Sequence, residues 1–477
     1  MDWRQVLEPY GKRELPPLRS MFVALGPGVI WMALAQGSGE LIWWPYIIAK
    51  YGLTFLFLLV PACLLQYPLT IEIGRYTLLT GESIFQGFFR LHWALGVFLW
   101  ILMTFSFLWF GAFASAGGTA LAALTHFPPG WSPRGQTLFW AYSSIGLYLL
   151  AILFSRVIYI LVERFMAGVA LLTVVGLIWA CATPEVIKVI PEFLGGLFGS
   201  TAPMPRPWDP TDATKLLTAV TFAGLGGFWT LFYSYWLRDK GAGMATHIGR
   251  ITGPITGKPE SIPAVGYIPA EAQENQSRWR RWQHYLILDS GIGVMSNLFT
   301  TLMTCLLAYA LLFPKGLLPE GYEIAVVQSR FFEVNWGKVG TVIFLLVAAA
   351  FLSDTWLATV DAVSRIQADI VYTLFPKCRR LEVLQWYYFF LGLLTVITSL
   401  TMLIDAPGPL ILISAVIGFV GTVILSVAVL ILNHRLLPKV TPAWACPGRL
   451  SWYIMVLVCL VYGIAAIVYL ALISGSS

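Results

Sequence analysis

Apolar runs of membrane-crossing length dominate this chain, and they decide what it can fold into. About 20 apolar residues cross a bilayer core as a helix. Runs of that kind recur at 21–49, 53–75, 93–123, 137–155, 157–182, 214–237, 285–313, 338–362, 383–404, 409–432 and 451–473. Lipid offers no partner to backbone N–H and C=O groups, so each run has to close its own hydrogen bonds as a helix. Of the 477 residues 58% are hydrophobic and 11% charged, with a mean hydropathy of +0.76, a balance that excludes a soluble globular chain. The expectation is an all-α, multi-pass integral membrane protein with about eleven transmembrane helices.

Lys and Arg predict how the chain sits, because cytoplasmic loops retain an excess of them. With the N-terminus inside, the cytoplasmic segments collect 22 of the 30 and the external ones 8. This divides the chain into a cytoplasmic tail (1–20), five helices (21–182), an external loop (183–213), five more helices (214–432) with an internal loop (238–284), and an eleventh helix (451–473) that leaves the C-terminus external. The net charge of +6 then follows from topology and calls for a lipid bilayer, with no nucleic acid as partner. The first run is about twice as long as a signal-peptide core and reads as a retained helix. The expected location is a prokaryotic inner (plasma) membrane, with the protein functional as a monomer. The basic stretch RWRRWQHY (278–285) is expected to lie along the anionic inner leaflet. Six cysteines without CxxC spacing, and the lack of a P-loop, an HExxH or a haem-ligand pair, give no cofactor and no enzyme; a gradient is the expected energy source.

A charge at the bilayer centre costs about 2.5 to 3.5 kcal/mol on insertion scales, so polar groups at depth mark candidate sites. The first run, GPGVIWMALAQGSGELIWWPY (26–46), is interrupted by Gly37-Ser38-Gly39-Glu40. The sixth, TFAGLGGFWTLFYSYW (221–236), carries Gly224, Gly226 and Gly227 at its middle. Breaks at these two places are what a five-plus-five inverted repeat produces, and they turn half-helix ends and free carbonyls toward one midplane point. The eighth run, FLSDTWLATVDAVSRIQAD (351–369), sets Asp354 between Ser353 and Thr355 at depth, either as a site ligand or as a hydrogen-bonded buried carboxyl. Asp361 with Arg365, and Glu72 with Arg75, are spaced as ion pairs. Asp289, early in the seventh run, either meets interfacial water or joins an ion site.

The first run's GPG (26–28), followed after eight residues by Gly37-Ser38-Gly39-Glu40, is similar to the GPG, eight residues and Asp-Pro-Gly-Asn of the Nramp (natural resistance-associated macrophage protein) family of divalent-metal transporters. LLQYPLTIEIGRYTLLTG (64–81), LSDTWLATVDAVSRIQADIV (352–371) and NHRLLPK (433–439) also resemble that family, over roughly residues 20–435. The resemblance implies a LeuT-type fold of the APC superfamily, with helices 1 and 6 broken. It also implies metal ligands at Gly37, Glu40, Ala223 (through its carbonyl) and Gly226. Here glycine stands where the family has Asp, Glu40 where it has Asn, and Gly226 where it has Met; Phe228 and Tyr233 replace histidines, and the third run has no acidic residue. Without the thioether, a carboxylate with backbone carbonyls suits hard cations. The leading expectation is therefore a secondary transporter moving a hard divalent metal ion (magnesium, manganese or calcium) by alternating access. The alternative is a sodium- or proton-coupled transporter of an amine or amino acid, held by Glu40, Gly227, Trp229, Phe228 and Tyr233, with Ser353, Asp354, Thr355 and Asp289 as the coupling-ion site. The predicted orientation is checked by a phosphatase reporter that works only outside the cytoplasm: fused at Arg206 it is expected to be active and at Lys258 inactive, and the reverse pattern inverts the topology.

Overall fold

The computed structural model describes residues 8–37, 41–199, 204–319 and 324–474. Among them nine helical spans are long and apolar enough to cross a membrane: Leu56–Thr80, Trp93–Thr125, Pro133–Phe154, Ile158–Cys181, Gln273–Lys315, Lys338–Leu374, Val383–Thr401, Pro407–Val440 and Arg449–Ala471. They are the second to fifth and seventh to eleventh crossings. The first and sixth are each in two short halves, Pro27–Ala35 with Trp43–Tyr51 and Ala213–Thr221 with Phe232–Lys240. A single length criterion misses these two because neither half spans a bilayer alone.

Local chemistry explains several ends. Gly81, at φ 66°, closes the second crossing, and Ser83 and Gln86 exchange the bonds of a capping box to start the short helix Ile84–Leu91. The third crossing is interrupted at Phe107–Trp109, then resumes as Gly111–Thr125. That second half, GAFASAGGTALAALT, carries small residues where it meets the eighth crossing, and a Cβ on Gly117 would lie 2.9 Å from that of Ser353. Close backbone approach is how helices associate in lipid, where burial of apolar surface drives nothing.

The eighth crossing runs on to Leu374, well past the expected end at 362. Its charges do not stop it because they are buried and paired. Arg365 binds Asp361 at 2.8 Å and also Asp239 of the sixth crossing, while Arg238 binds Asp369 at 2.9 Å. Four of these five side chains are no more than 3% exposed, and Tyr387 and Tyr235 donate to the two eighth-helix aspartates.

The stretch RWRRWQHY is helical and continuous with the seventh crossing. It forms the N-terminal part of that helix, with Trp279 and Trp282 buried and Arg280 and Arg281 exposed. One stripe of this helix, at spacings of three and four residues, holds the N-terminal segment. Asn275 accepts from the Leu15 N–H at 3.1 Å, Arg278 and Trp282 donate to the Leu15 and Pro16 carbonyls at 2.7 and 2.8 Å, and Tyr285 donates to Ala24 at 3.0 Å. Asp289 completes the stripe by accepting the Gly26 and Gly28 N–H groups at 3.1 and 2.8 Å. Beside it, β1 (Gly11–Arg13) pairs in parallel with β2 (Tyr267–Pro269), the small exception to an all-helical chain.

The GPG start of the first crossing is thus a helix N-terminus seated on a carboxylate, which satisfies orphan donors and complements the helix dipole. Asp289→Ala is expected to lower thermal stability in detergent by roughly 2 kcal/mol, the cost of leaving such buried donors unmet. Asp289→Asn, which keeps one acceptor, should lose less; equal stability of all three proteins would remove Asp289 from this role.

Candidate functional site

Each interruption is packed against other crossings. After Ala35 the first crossing widens into a π-type turn at Gln36 and Gly37 and resumes at Trp43. Gln36 donates to the hydroxyl of Thr300 on the seventh crossing. Gly37 lies against the eighth: a Cβ there would overlap Thr355 Oγ1 and come within 2.8 Å of the Phe351 carbonyl. In the sixth crossing the helix ends at Thr221, and the backbone passes through Gly224 (φ 109°) and Gly226 (φ 58°) into the 3-10 turn Gly227–Leu231. Side chains rarely adopt such φ values. Gly224 is also pressed by both sides, since its Cβ would sit 3.0 Å from Trp31 of the first crossing and 2.8 Å from Gln66 of the second.

The predicted site residues other than Asp354 separate into three groups. Gly37, Ala223 and Gly226 are buried at the breaks, and Thr355 joins them by facing Gly37. Glu40, together with Ser38 and Gly39, lies outside the described residues. Gly227, Trp229, Tyr233, Ser353 and Asp289 are engaged in packing and hydrogen bonds. Gly227 is held 3.1 Å, measured from its would-be Cβ, from the backbone of Gly418 in the tenth crossing. Trp229 donates to Thr359 at 3.1 Å inside a cluster of Phe107, Phe113 and Phe222, and the Tyr233 hydroxyl donates to Asp289 at 2.9 Å. Ser353 bonds Tyr148 at 2.7 Å and the Ala349 carbonyl at 2.6 Å. Trp229 and Tyr233 thus spend their polar hydrogens on the protein's own contacts, and Asp289 serves as a helix cap.

Asp354 differs from the other buried carboxylates of the described residues, which are held by cations or by donors from other elements. It is 0% exposed, forms no ion pair and meets no donor from another crossing among the described residues; only its neighbour Thr355 approaches the carboxylate. An ionised carboxylate in that condition carries a large desolvation penalty, which a bound cation or a proton relieves.

Sequence reasoning passed over the seventh crossing's contribution. Thr300, Thr301 and Thr304, with Gln36 and Thr173, line a cavity of about 20 Å³ beside the first break, closed off by Phe332, Phe344 and Phe351. That is room for about one water-sized occupant. Hydroxyls four residues apart in the run SNLFTTLMT were a readable signal, since they share a helix face. Also missed was a clasp at the end of the bundle opposite the N-terminal tail. Buried Asp212 there receives Lys50 at 2.6 Å and Lys215 at 3.0 Å, and the hydroxyls of Tyr46 and Tyr51 at 3.1 and 2.8 Å. Burial pushes the Asp212 carboxyl up, but bonds from Lys50, Tyr51 and Lys215 outweigh it and hold it below the usual value; Thr211 and then Lys50 bring neighbouring Asp209 down to about 2. Among the described residues no group of three or more His, Cys, Asp or Glu side chains is arranged to hold a metal ion.

No protein-family model and no curated protein sequence matches the chain. Solved structures do. A mutant of the Eremococcus coleocola manganese transporter superposes with a TM-score of 0.61 at 13% identity, covering 96% of this chain and 90% of that one. MhsT, in complex with L-phenylalanine, superposes with a TM-score of 0.54 at 15% identity, covering 97% and 100%. These likenesses establish the fold: a LeuT-type bundle with a five-plus-five inverted repeat, broken first and sixth helices and an added eleventh helix.

Gly37→Ala is expected to destabilise the protein by about 1 to 3 kcal/mol, because the new methyl meets both a hydroxyl and a backbone carbonyl. Adding Thr355→Ala should recover only part of the loss, measured by thermal unfolding in detergent, since the Phe351 carbonyl remains. Full recovery, or no loss in the single variant, would contradict this packing.

Proposed function

We propose that the chain is a secondary transporter that carries a hard divalent cation, magnesium, manganese or calcium, through a midplane site between its broken first and sixth helices. The observation that carries this reading is Asp354, a fully buried carboxylate with no ion pair and no donor from another crossing among the described residues, next in sequence to the Thr355 that faces Gly37. Glu40 supplies the principal charge, and the carbonyls at Gly37, Ala223 and Gly226 complete an all-oxygen ligand set of the kind hard cations prefer. Alternating access then exposes that site to each side in turn, with the Asp212 clasp and the Arg365 and Arg238 pairs as the closures at the two ends. The excess of Lys and Arg at the N-terminal-tail end supports a cytoplasmic N-terminus and an external C-terminus.

Three further features favour an ion over an organic solute. The cavity at the first break is water-sized. Trp229 and Tyr233 are engaged elsewhere. The GPG spacing resembles that of divalent-metal transporters and supports reading the chain as a divergent Nramp-related branch, whereas the fold itself is shared alike by the manganese transporter and by MhsT in complex with L-phenylalanine.

Uptake of magnesium, manganese and calcium into proteoliposomes tests the reading. One of the three is expected to move, and Glu40→Gln and Asp354→Asn are each expected to reduce uptake at least tenfold, equivalent to about 1.4 kcal/mol of lost ion stabilisation. Asp354→Asn should meanwhile fold as stably as the wild type or more so, because it removes an unpaired buried carboxyl. If no ion moves, or both variants transport normally, the proposal is lost.

A further inference from the structure

A cleft of about 510 Å³ opens between the second, seventh and eleventh crossings, at the end of the bundle where the N-terminal tail docks. Its chemistry is graded along the helices. At the mouth are Arg75 of the second crossing and Arg280 and His284 of the seventh. Deeper lie Pro68, Ile71 and Ile287, with Ile454 of the eleventh. The second and seventh crossings run in opposite directions, and the bond from the Tyr67 hydroxyl to the Ile287 carbonyl at 3.0 Å fixes the two apolar ends at one level. Seven residues separate Arg75 from Pro68, and seven separate Arg280 from Ile287. At a rise of 1.5 Å per residue, charge gives way to hydrocarbon over about 10 Å on both walls.

The one acid in the cleft is neutralised from within. Glu72 takes the Arg75 Nε at 3.2 Å, Asn433 at 2.7 Å and Ser451 at 2.5 Å. Arg75 meets Glu72 through Nε, and no hydrogen bond among the described residues engages its terminal nitrogens. Arg280 is exposed and has no acidic partner among the described residues. Ile287, Leu450 and Ile454 are 49%, 72% and 39% exposed, so the cleft is open sideways to lipid.

We propose that this cleft binds one anionic phospholipid, its phosphate between Arg75 and Arg280 and the start of its acyl chains along Ile71, Ile287 and Ile454. A cationic mouth above an apolar floor fits a molecule whose charge and hydrocarbon are joined in that order, and basic pockets between membrane helices take such headgroups. A free phosphate would use only the mouth.

Native mass spectrometry of the full chain in detergent, with phosphatidylglycerol or phosphatidylcholine added, reads the site directly. One phosphatidylglycerol per chain is expected to be retained at least tenfold better than phosphatidylcholine. Arg280→Gln should weaken retention about fivefold, the equivalent of about 1 kcal/mol for one interfacial charge. Arg281→Gln, one residue along but outside the cleft, should leave retention unchanged. Because Arg75→Gln also strips Glu72 of its partner and can upset folding, the exposed Arg280 is the deciding position. Equal retention of the two lipids, equal loss from Arg280→Gln and Arg281→Gln, or displacement of the lipid by inorganic phosphate at millimolar concentration would each overturn the proposal.

Discussion

Inside a bilayer there is no water to meet a backbone N–H or C=O, and the two broken helices depend on how that shortage is resolved. Each break is enclosed by other crossings instead of facing lipid. The first abuts Phe351 and Thr355 of the eighth crossing and reaches Thr300 of the seventh through Gln36. The sixth returns at once to a tight 3-10 turn from Gly227 to Leu231, seated on Gly418 of the tenth. The close approach that encloses them depends on glycine: Gly37 against Phe351 and Thr355 at the first break, and Gly227 against Gly418 at the sixth.

Charge is distributed with the same economy. At one end Asp212 gathers two lysines and two tyrosines, tying the outer halves of the first and sixth crossings together. At the other, Arg365 and Arg238 bind aspartates across the sixth and eighth, and Lys240 binds Glu163 at 2.7 Å while also reaching the Leu25 carbonyl. Buried pairs of this kind are poor sources of net stability but are strongly destabilising when half broken. That makes them suitable as closures that hold or release as units. Between the two layers the described residues carry little charge, so Asp354, with no ion pair among them, stands out against its surroundings and not merely against an average protein core.

Much of the architecture was legible because hydropathy reports directly on helices in lipid. The eleven crossings, the breaks at Gly37 and Gly224–Gly227, and the Asp361–Arg365 and Glu72–Arg75 pairs are all visible as spacing. What was not legible involves partners distant in sequence. Nothing near Asp289 announces that it will cap Gly26 and Gly28, and nothing near Tyr233 announces that it will donate to Asp289 and so leave any cargo. The end of the eighth helix was misjudged because charge usually marks a boundary, whereas Asp239 and Asp361 neutralise Arg365 and let the helix continue. The threonines lining the small cavity carry no charge, and hydropathy gives them little weight.

The polar stripe from Asn275 to Asp289 has a mechanical side. By gripping the chain between Leu15 and Gly28 at five successive levels, it makes the entry to the first helix and the lower seventh helix a single strut. A strut transmits tilt but cannot flex within its own length. Any bending of the first crossing has to occur above Gly28, and its weakest section is the widened turn at Gln36 and Gly37, where the helix already departs from its regular pitch. The proposed cargo site and this weakest section then share the same few residues.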